Sequence, residues 1–400
     1  MFWFLRCGVR LMFSRVVLLN FISLFFSVSV FMVQPILPVY LYRELGATEQ
    51  EVGVILALIA LTSAFLRIPC AVCIRSSGVL KATVLGMGLN AAAILGYGLS
   101  WNPMIFAFFR VLHGIALALN YTLLLSIASM IAQDGRVEET VTSYTMALAM
   151  GLWLGPASGT ILNSFLGLRS LMFVASMLGF VGMVLALILA NSLRSCWSRK
   201  FSKDERPRLS SLIKLENFLL TAVYLSFMFV FGALSAYAPL KARIEFNLRD
   251  QLIIFLFTGY FFIVFFMRLL LLKVEIFRRR FGKLLAFSLL SGGLGIMIVG
   301  LSWNVPLFVL GLCWVGIAHG LVFPLTASAT ARVTPAHLRV LGNSFYLTAS
   351  DLGNLLGPVA VSIMLGFMPL SQSLMFTAIP PLLGLIAVKL LNREAGSKLL

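Results

Sequence analysis

Long apolar runs separated by short polar segments recur along nearly the whole of this 400-residue chain. Each run is about 20 residues long, which is what a helix needs to cross the hydrocarbon core of a bilayer. Lipid offers no hydrogen-bond partners, so only helices or a closed β-barrel can span it. Barrel strands alternate apolar and polar residues, and these runs do not. The sequence therefore predicts an all-α membrane protein.

The hydropathy pattern predicts twelve transmembrane helices with short connections. One longer polar and basic segment, 192–215, predicts a linker between an N-terminal six-helix bundle (1–191) and a C-terminal six-helix bundle (216–400). The predicted helices are 16–42, 50–74, 80–100, 103–132, 139–164, 169–191, 216–240, 250–273, 283–302, 304–332, 340–366 and 371–391.

Lysine and arginine are concentrated on one side of this predicted arrangement. Twelve spans place both termini and the linker on the same side, and most of the basic residues fall there. Because cytoplasmic loops are enriched in these residues, both termini and the linker are expected in the cytoplasm. The same bias accounts for the net charge of +17, so nucleic acid is not an expected partner. We expect a multi-pass protein of the plasma membrane.

The two predicted halves share sequence, which indicates an internal duplication. Three short matches follow in the same order, at an offset close to half the chain. Repeats of this kind are typical of secondary transporters. The matches are Gly-Leu-Ser-Trp-Asn at 98–102 and 300–304, His-Gly at 113–114 and 319–320, and Leu-Gly-Pro at 154–156 and 356–358.

Several fragments resemble the major facilitator superfamily of secondary transporters, over essentially the whole chain. Arg110-x-x-x-Gly114 resembles the arginine signature of its fourth helix. Gly151-x-x-x-Gly155-Pro156-x-x-Gly159 resembles part of the glycine–proline signature of antiporters, and 316–324 and 351–358 resemble the tenth and eleventh helices. The resemblance implies two pseudo-symmetric six-helix bundles that rock about a central site, which is lined by helices 1, 4, 7 and 10.

A cytoplasmic loop motif of that family is only partly present. Arg75 and Arg279 stand where the motif has its aspartate in the two halves. The resemblance implies that this carboxylate latches the halves together, so the usual latch is not expected here. The residues that match the motif or its surroundings are Gly78, Lys81, Arg279, Arg280, Gly282 and Lys283.

Glycines and prolines within the predicted spans are candidates for hinges or for tight helix packing, and the sequence leaves both roles open. They are Gly114, Gly155, Pro156, Gly159, Gly320, Pro324, Gly357 and Pro358.

Ionisable residues within the spans are few, and each costs about 2.5–3.5 kcal/mol at a helix centre unless it is paired or hydrated. Asp351 lies near mid-membrane, where it suits the uptake and release of a proton or, alternatively, a structural role. The resemblance places the second helix against the eleventh. We therefore expect a salt bridge between Arg67 and Asp351 that breaks when Asp351 is protonated. Arg268 is expected to extend to the cytoplasmic interface.

The remaining polar candidates suit either a role in substrate or proton binding or a purely structural role. Arg110 suits an anionic substrate or a proton site, or bonds to neighbouring carbonyls. His113 and His319 occupy equivalent places in the repeats, where they would face each other across a cavity and carry protons, or only support packing. The proton-coupling candidates are Asp351, Arg110, Arg67, His113 and His319; the substrate-cavity candidates are Asn20, Gln34, Asn120, Tyr121 and Tyr237.

Together these features predict a secondary transporter of a small solute, with proton-coupled export favoured by the partial glycine–proline signature. Proton-coupled uptake of a small metabolite remains an alternative, as does a receptor or scaffold without transport, which the altered loop motif would suit. The sequence contains no Gly-x4-Gly-Lys-Ser/Thr motif and no evident catalytic arrangement. We therefore expect no enzyme activity, no cofactor and no metal, and we expect a monomer.

Overall fold

The computed structural model describes residues 2–73, 78–131, 137–200, 215–273, 281–334 and 339–394. These residues form helices and no strands. The helices are α1 (Phe2–Val33), α2 (Leu37–Arg43), α3 (Glu49–Cys73), α4 (Val79–Leu99), α5 (Pro103–Ile131), α6 (Val137–Lys200), α7 (Leu215–Ile244), α8 (Asp250–Lys273), α9 (Phe281–Leu301), α10 (Val305–Val333), α11 (Arg339–Met364), α12 (Leu370–Phe376) and α13 (Ile379–Glu394).

Eleven stretches of the described chain are long and apolar enough to cross a membrane. One of them, Thr140–Leu193, covers two of the predicted helices. It is interrupted at Gly167, whose φ of 77° and ψ of 171° are non-helical. Glycine adopts such a conformation readily because it has no Cβ. The predicted count of twelve crossings requires the chain to reverse direction at this glycine.

Several predicted helix bounds differ from those observed. The first predicted helix is broken between Val33 and Leu37 by a segment that contains Pro35, a residue that cannot donate a backbone hydrogen bond. The last predicted helix is broken between α12 and α13. Residues 192–200, predicted as linker, continue α6, whereas 201–214 lie outside the described residues.

The partly matched loop motif is described only in part. Arg279 and Arg280 lie outside the described residues. Gly78 immediately precedes α4, and Lys81 is exposed in the first turn of that helix. Gly282 and Lys283 lie in the first turn of α9, where the Gly282 backbone packs closely against a side chain of α13.

The helices pack in two groups that meet along two seams. α1 and α3–α6 pack mainly on one another, as do α7–α13. The first seam joins α3 to α11, and the second joins α6 to α8. At one end of the first seam the Ser362 hydroxyl donates to the Gln50 carbonyl (2.9 Å). On the second seam the hydroxyls of Thr160 and Thr258 are 3.4 Å apart.

The apolar core is shared by the two groups at one end of the molecule only. One hydrophobic cluster joins the second group to residues within 32–56, 94–106 and 171–175 of the first. A separate cluster fills the other end of the first group, from residues within 19–30, 79–87, 119–144 and 186–193. Burial of apolar surface therefore holds the groups together at the end where α1 finishes, which we name the closed end. An ion pair between Arg43 of α2 and Asp250 of α8 (3.4 Å) lies at that end.

Candidate functional site

A cavity of about 280 Å³ lies between the two groups of helices. Its wall consists mainly of aliphatic and aromatic side chains from α1, α3, α5 and α6 on one side and α7, α8, α10 and α11 on the other. The predicted helices 1, 4, 7 and 10, which the family resemblance places around the site, correspond to α1, α5, α7 and α10, and all four line the cavity. The other lining helices are α3, α6, α8 and α11. Its charged residues, within the described part of the chain, are Arg67, Arg110, Arg268 and Asp351.

The predicted contact between Arg67 and Asp351 is confirmed. Arg67 Nε donates to Asp351 Oδ2 at 2.7 Å, and Arg67 Nη2 donates to Oδ1 at 3.0 Å. The two parallel bonds form the bidentate arrangement that is strongest between arginine and a carboxylate. Both residues are buried, with 3% and 8% of their surface exposed. This pair joins α3 to α11 at the edge of the cavity.

Ser63 completes this polar cluster from one helical turn before Arg67. Residues four apart share a helix face, so the hydroxyl reaches both members of the pair. Ser63 Oγ donates to Asp351 Oδ2 at 3.0 Å and accepts from Arg67 Nη2 at 2.9 Å. Arg67 Nη1 is buried without a hydrogen-bond partner. Both oxygens of the aspartate therefore accept hydrogen bonds, while the arginine keeps a donor without a partner.

Arg110 is held by neutral groups. Its Nη2 donates to the Leu56 carbonyl at 2.9 Å and its Nη1 to the Tyr97 hydroxyl at 3.3 Å, with only 1% of the residue exposed. No described carboxylate lies within ion-pair distance of it. Its Nε has no partner. The predicted bond to a neighbouring carbonyl is present, and one buried N–H is left without a partner.

His113 does not line the cavity, so the expectation that it faces His319 across it is wrong. The ring packs between α4 and α5, where its Nδ1 lies 2.7 Å from the Tyr97 hydroxyl and its Nε2 lies 3.0 Å from Asn90 Oδ1. Asn90 in turn donates to Ser29. A ring protonated only at Nε2 satisfies both bonds. His113 thus belongs to a buried network within the first group of helices.

His319 does line the cavity. Its Nδ1 lies 2.8 Å from the Tyr260 hydroxyl, and its ring centroid is 4.5 Å from that of Phe231. The two repeats therefore share a histidine bonded to a tyrosine hydroxyl, but the tyrosines come from different places in the repeats. Of these two histidines, only His319 borders the cavity.

Arg268 also lines the cavity, which corrects the expectation that it extends to the membrane interface. Its guanidinium carbon lies 5.0 Å from the ring centroid of Phe323 on α10. Its Nε is buried without a partner. The residue lies five positions before the end of α8, so its place in the sequence suggested the interface. The packing of α8 on α10 turns it inward instead.

Two of the five predicted cavity residues, Gln34 and Tyr121, are among the described lining residues. Asn20 instead donates to Ser143 between α1 and α6. Asn120 packs against Gly86 of α4, and Tyr237 packs against the Gly53 backbone at the closed end.

Sequence reasoning missed Ser63, Tyr144 and Tyr224, which also line the cavity. Ser63 could have been found from its i,i+4 spacing to Arg67. Tyr144 and Tyr224 have no comparable spacing to a charged residue that would mark them. Whether they face the cavity depends on how their helices pack against the others.

The predicted glycines lie at close helix crossings. A Cβ on Gly114 would stand 2.6 Å from the Ile59 carbonyl of α3, and one on Gly159 would stand 2.7 Å from the Met32 carbonyl of α1. A Cβ on Gly320 would stand 3.0 Å from the Val264 carbonyl of α8, and one on Gly357 would overlap the Phe229 carbonyl of α7. Gly155 likewise faces the backbone of α1. The prolines Pro156, Pro324 and Pro358 lie inside their helices.

The proteins that this chain resembles in sequence agree with its membrane-spanning helical fold. The chain is 22% identical over 362 residues to an uncharacterised MFS-type transporter of Methanocaldococcus jannaschii, covering 87% of this chain and 90% of that protein. It is 25% identical over 308 residues to multidrug resistance protein 2 of Bacillus subtilis, covering 71% and 72%.

Among solved structures, the peptide transporter POT bound to alafosfalin has a similar fold, with a TM-score of 0.74 at 13% identity and 95% and 94% coverage. Residues 19–358 match the sequence pattern of the Major Facilitator Superfamily. The chain therefore belongs to the Major Facilitator Superfamily of membrane transporters.

Proposed function

We propose that this protein is a proton-coupled secondary transporter of the plasma membrane that exports a small solute by alternating access. In this proposal, 1–191 and 216–400 act as two bundles with cytoplasmic termini, and the chain reverses at Gly167. The cavity is then the solute site. Family membership supports transport in general, and the geometry of the cavity supports the coupling.

One observation carries the coupling proposal: the Arg67–Asp351 pair crosses between the groups of helices and lines the cavity at the same time. When Asp351 is ionised, two charge-assisted bonds tie α3 to α11. A proton on Asp351 removes its negative charge, so the pair weakens and the first seam can open. A solute in the cavity lies beside this switch, which couples its release to proton transfer.

Export is the direction we favour. The partial glycine–proline signature of Gly155 and Pro156 supports it, as does the relation to a multidrug resistance protein. From the distribution of basic residues we infer that the closed end faces the outside of the cell. The same switch would run uptake in reverse, and flux against opposite proton gradients distinguishes the two directions.

Asp351→Asn is expected to abolish solute-driven proton movement while the protein stays folded, because asparagine cannot release a proton. The measurement uses proteoliposomes that contain a pH-sensitive dye, with a panel of candidate solutes added outside. Glu44→Gln is the control, since Glu44 is an exposed carboxylate that pairs with Arg43. Normal coupling in Asp351→Asn would remove Asp351 from the proton route. Absence of any flux in the unmodified protein would favour the receptor or scaffold alternative.

A disulfide across the second seam tests alternating access independently of the proton route. Thr160→Cys with Thr258→Cys places two thiols where hydroxyls now lie 3.4 Å apart, a separation from which a disulfide can form with small adjustments. Oxidation is expected to reduce flux to the level of protein-free liposomes, and a reductant is expected to restore it. Each single variant, oxidised in the same way, is the control. Full flux through the cross-linked protein would contradict opening at this seam.

A further inference from the structure

We propose that the cavity binds an organic anion with an apolar, largely aromatic body. This inference rests on the proposed function, because it identifies the chemical class of the transported solute. It follows from the balance of charge in the cavity, from three free hydrogen-bond donors and from the character of the wall.

The described cavity lining carries more positive than negative charge. It contains Arg67, Arg110 and Arg268 but a single carboxylate, Asp351. Asp351 is bound to Arg67 in a bidentate pair, so its charge is already balanced. Within the described residues, no carboxylate lies within ion-pair distance of Arg110 or Arg268. Two guanidinium groups are therefore left for an anionic solute to neutralise.

Each of the three arginines also keeps an unused donor. Arg67 Nη1, Arg110 Nε and Arg268 Nε are buried and have no hydrogen-bond partner. A buried charged donor without a partner costs free energy, and an anion that accepts from it recovers that cost. A carboxylate or sulfonate has several acceptor sites and suits such donors. A cation would meet like charge at each of these positions.

The wall of the cavity favours an anion that has an apolar body. Phe31, Phe231 and Phe323 contribute aromatic surface, and Tyr121 and Tyr224 add two further rings. The guanidinium of Arg268 lies over the ring of Phe323, which places a positive charge beside that surface. The volume of about 280 Å³ falls near the lower limit of about 300 Å³ for small-molecule sites. The solute is accordingly a small amphipathic anion, and a bare inorganic anion would leave the aromatic surface uncovered.

Three probes with the same ring system separate charge from shape. They are 2-naphthoate, the neutral 2-naphthamide and the cationic 2-naphthylmethylammonium, with inorganic sulfate as a fourth ligand that lacks the rings. Isothermal calorimetry on the purified protein in detergent measures each affinity. We expect naphthoate to bind at least about tenfold more tightly than the amide, since bonds to charged groups are stronger. The ammonium and sulfate are expected to bind more weakly still.

Arg268→Gln is expected to lower naphthoate affinity by about tenfold and to leave amide affinity unchanged. Arg268→Lys keeps the positive charge and is expected to retain most of the preference, which separates loss of charge from misfolding. Arg393→Gln is the matched control, because Arg393 is exposed at the end of α13.

These experiments test the proposed anion site and the proposed transport separately. Equal affinity for the three naphthyl probes, tighter binding of the ammonium, or no naphthoate binding up to its solubility limit would overturn the anion proposal and leave transport standing. Tight, Arg268-dependent naphthoate binding without naphthoate flux in proteoliposomes would support the anion site and count against the proposed transport.

Discussion

Arg67→Met is expected to lower the free energy of unfolding by about 3–5 kcal/mol, because it leaves the buried Asp351 carboxylate without its counter-charge. Asp351 would keep only the hydrogen bond from Ser63. Titration with a denaturing detergent in mixed micelles, followed by tryptophan fluorescence, measures the change. Coupled flux is expected to be lost in the same variant, since the seam between α3 and α11 no longer responds to the charge on Asp351.

The double variant Arg67→Met with Asp351→Leu separates stability from function. Replacing both members of a buried ion pair by apolar residues is often neutral or stabilising. Ser63 would return to bonding its own helix, as serine does at the i−4 carbonyl. We expect the double variant to regain most of the lost stability and to remain without proton coupling. If Arg67→Met alone is as stable as the unmodified protein, the pair does not tie the seam.

The sequence was sufficient to predict the Arg67–Asp351 contact because two independent constraints meet there. Ionisable residues are costly within spans, so the few that remain need partners. The family resemblance supplied which helices face each other. The helical class followed in the same way from run length and from the absence of alternation.

Other features depend on packing that a single sequence does not encode locally. His113 and His319 hold equivalent places in the repeats, yet only His319 lines the cavity. His113 bonds to side chains of α4, whereas His319 meets Phe231 of α7 and Tyr260 of α8. Arg268 was expected at the interface from its distance to the helix end, whereas the ring of Phe323 holds it inward. The break in α6 at Gly167, by contrast, falls in the gap between the predicted helices 139–164 and 169–191.

Gly357→Ala is expected to destabilise the protein by about 3 kcal/mol, at the upper end of the usual cost of overpacking. A Cβ at this position would overlap the Phe229 carbonyl and stand 2.9 Å from the Ala233 nitrogen. Both are backbone atoms of α7, so no side chain can move aside, and α7 and α11 must separate. The gain in helix propensity from glycine to alanine, about 1 kcal/mol, is too small to offset this. The same detergent titration measures the change.

Gly259→Ala is the matched control, because Gly259 also lies within a helix and a Cβ there would meet nothing within 4 Å. Its stability is expected to stay the same or rise slightly. The comparison also separates the two roles that the sequence left open for Gly357. Tight packing predicts that stability and flux fall together in Gly357→Ala. A hinge without a packing role predicts lost flux at unchanged stability, and that outcome would contradict the close crossing of α7 and α11 as the reason for this glycine.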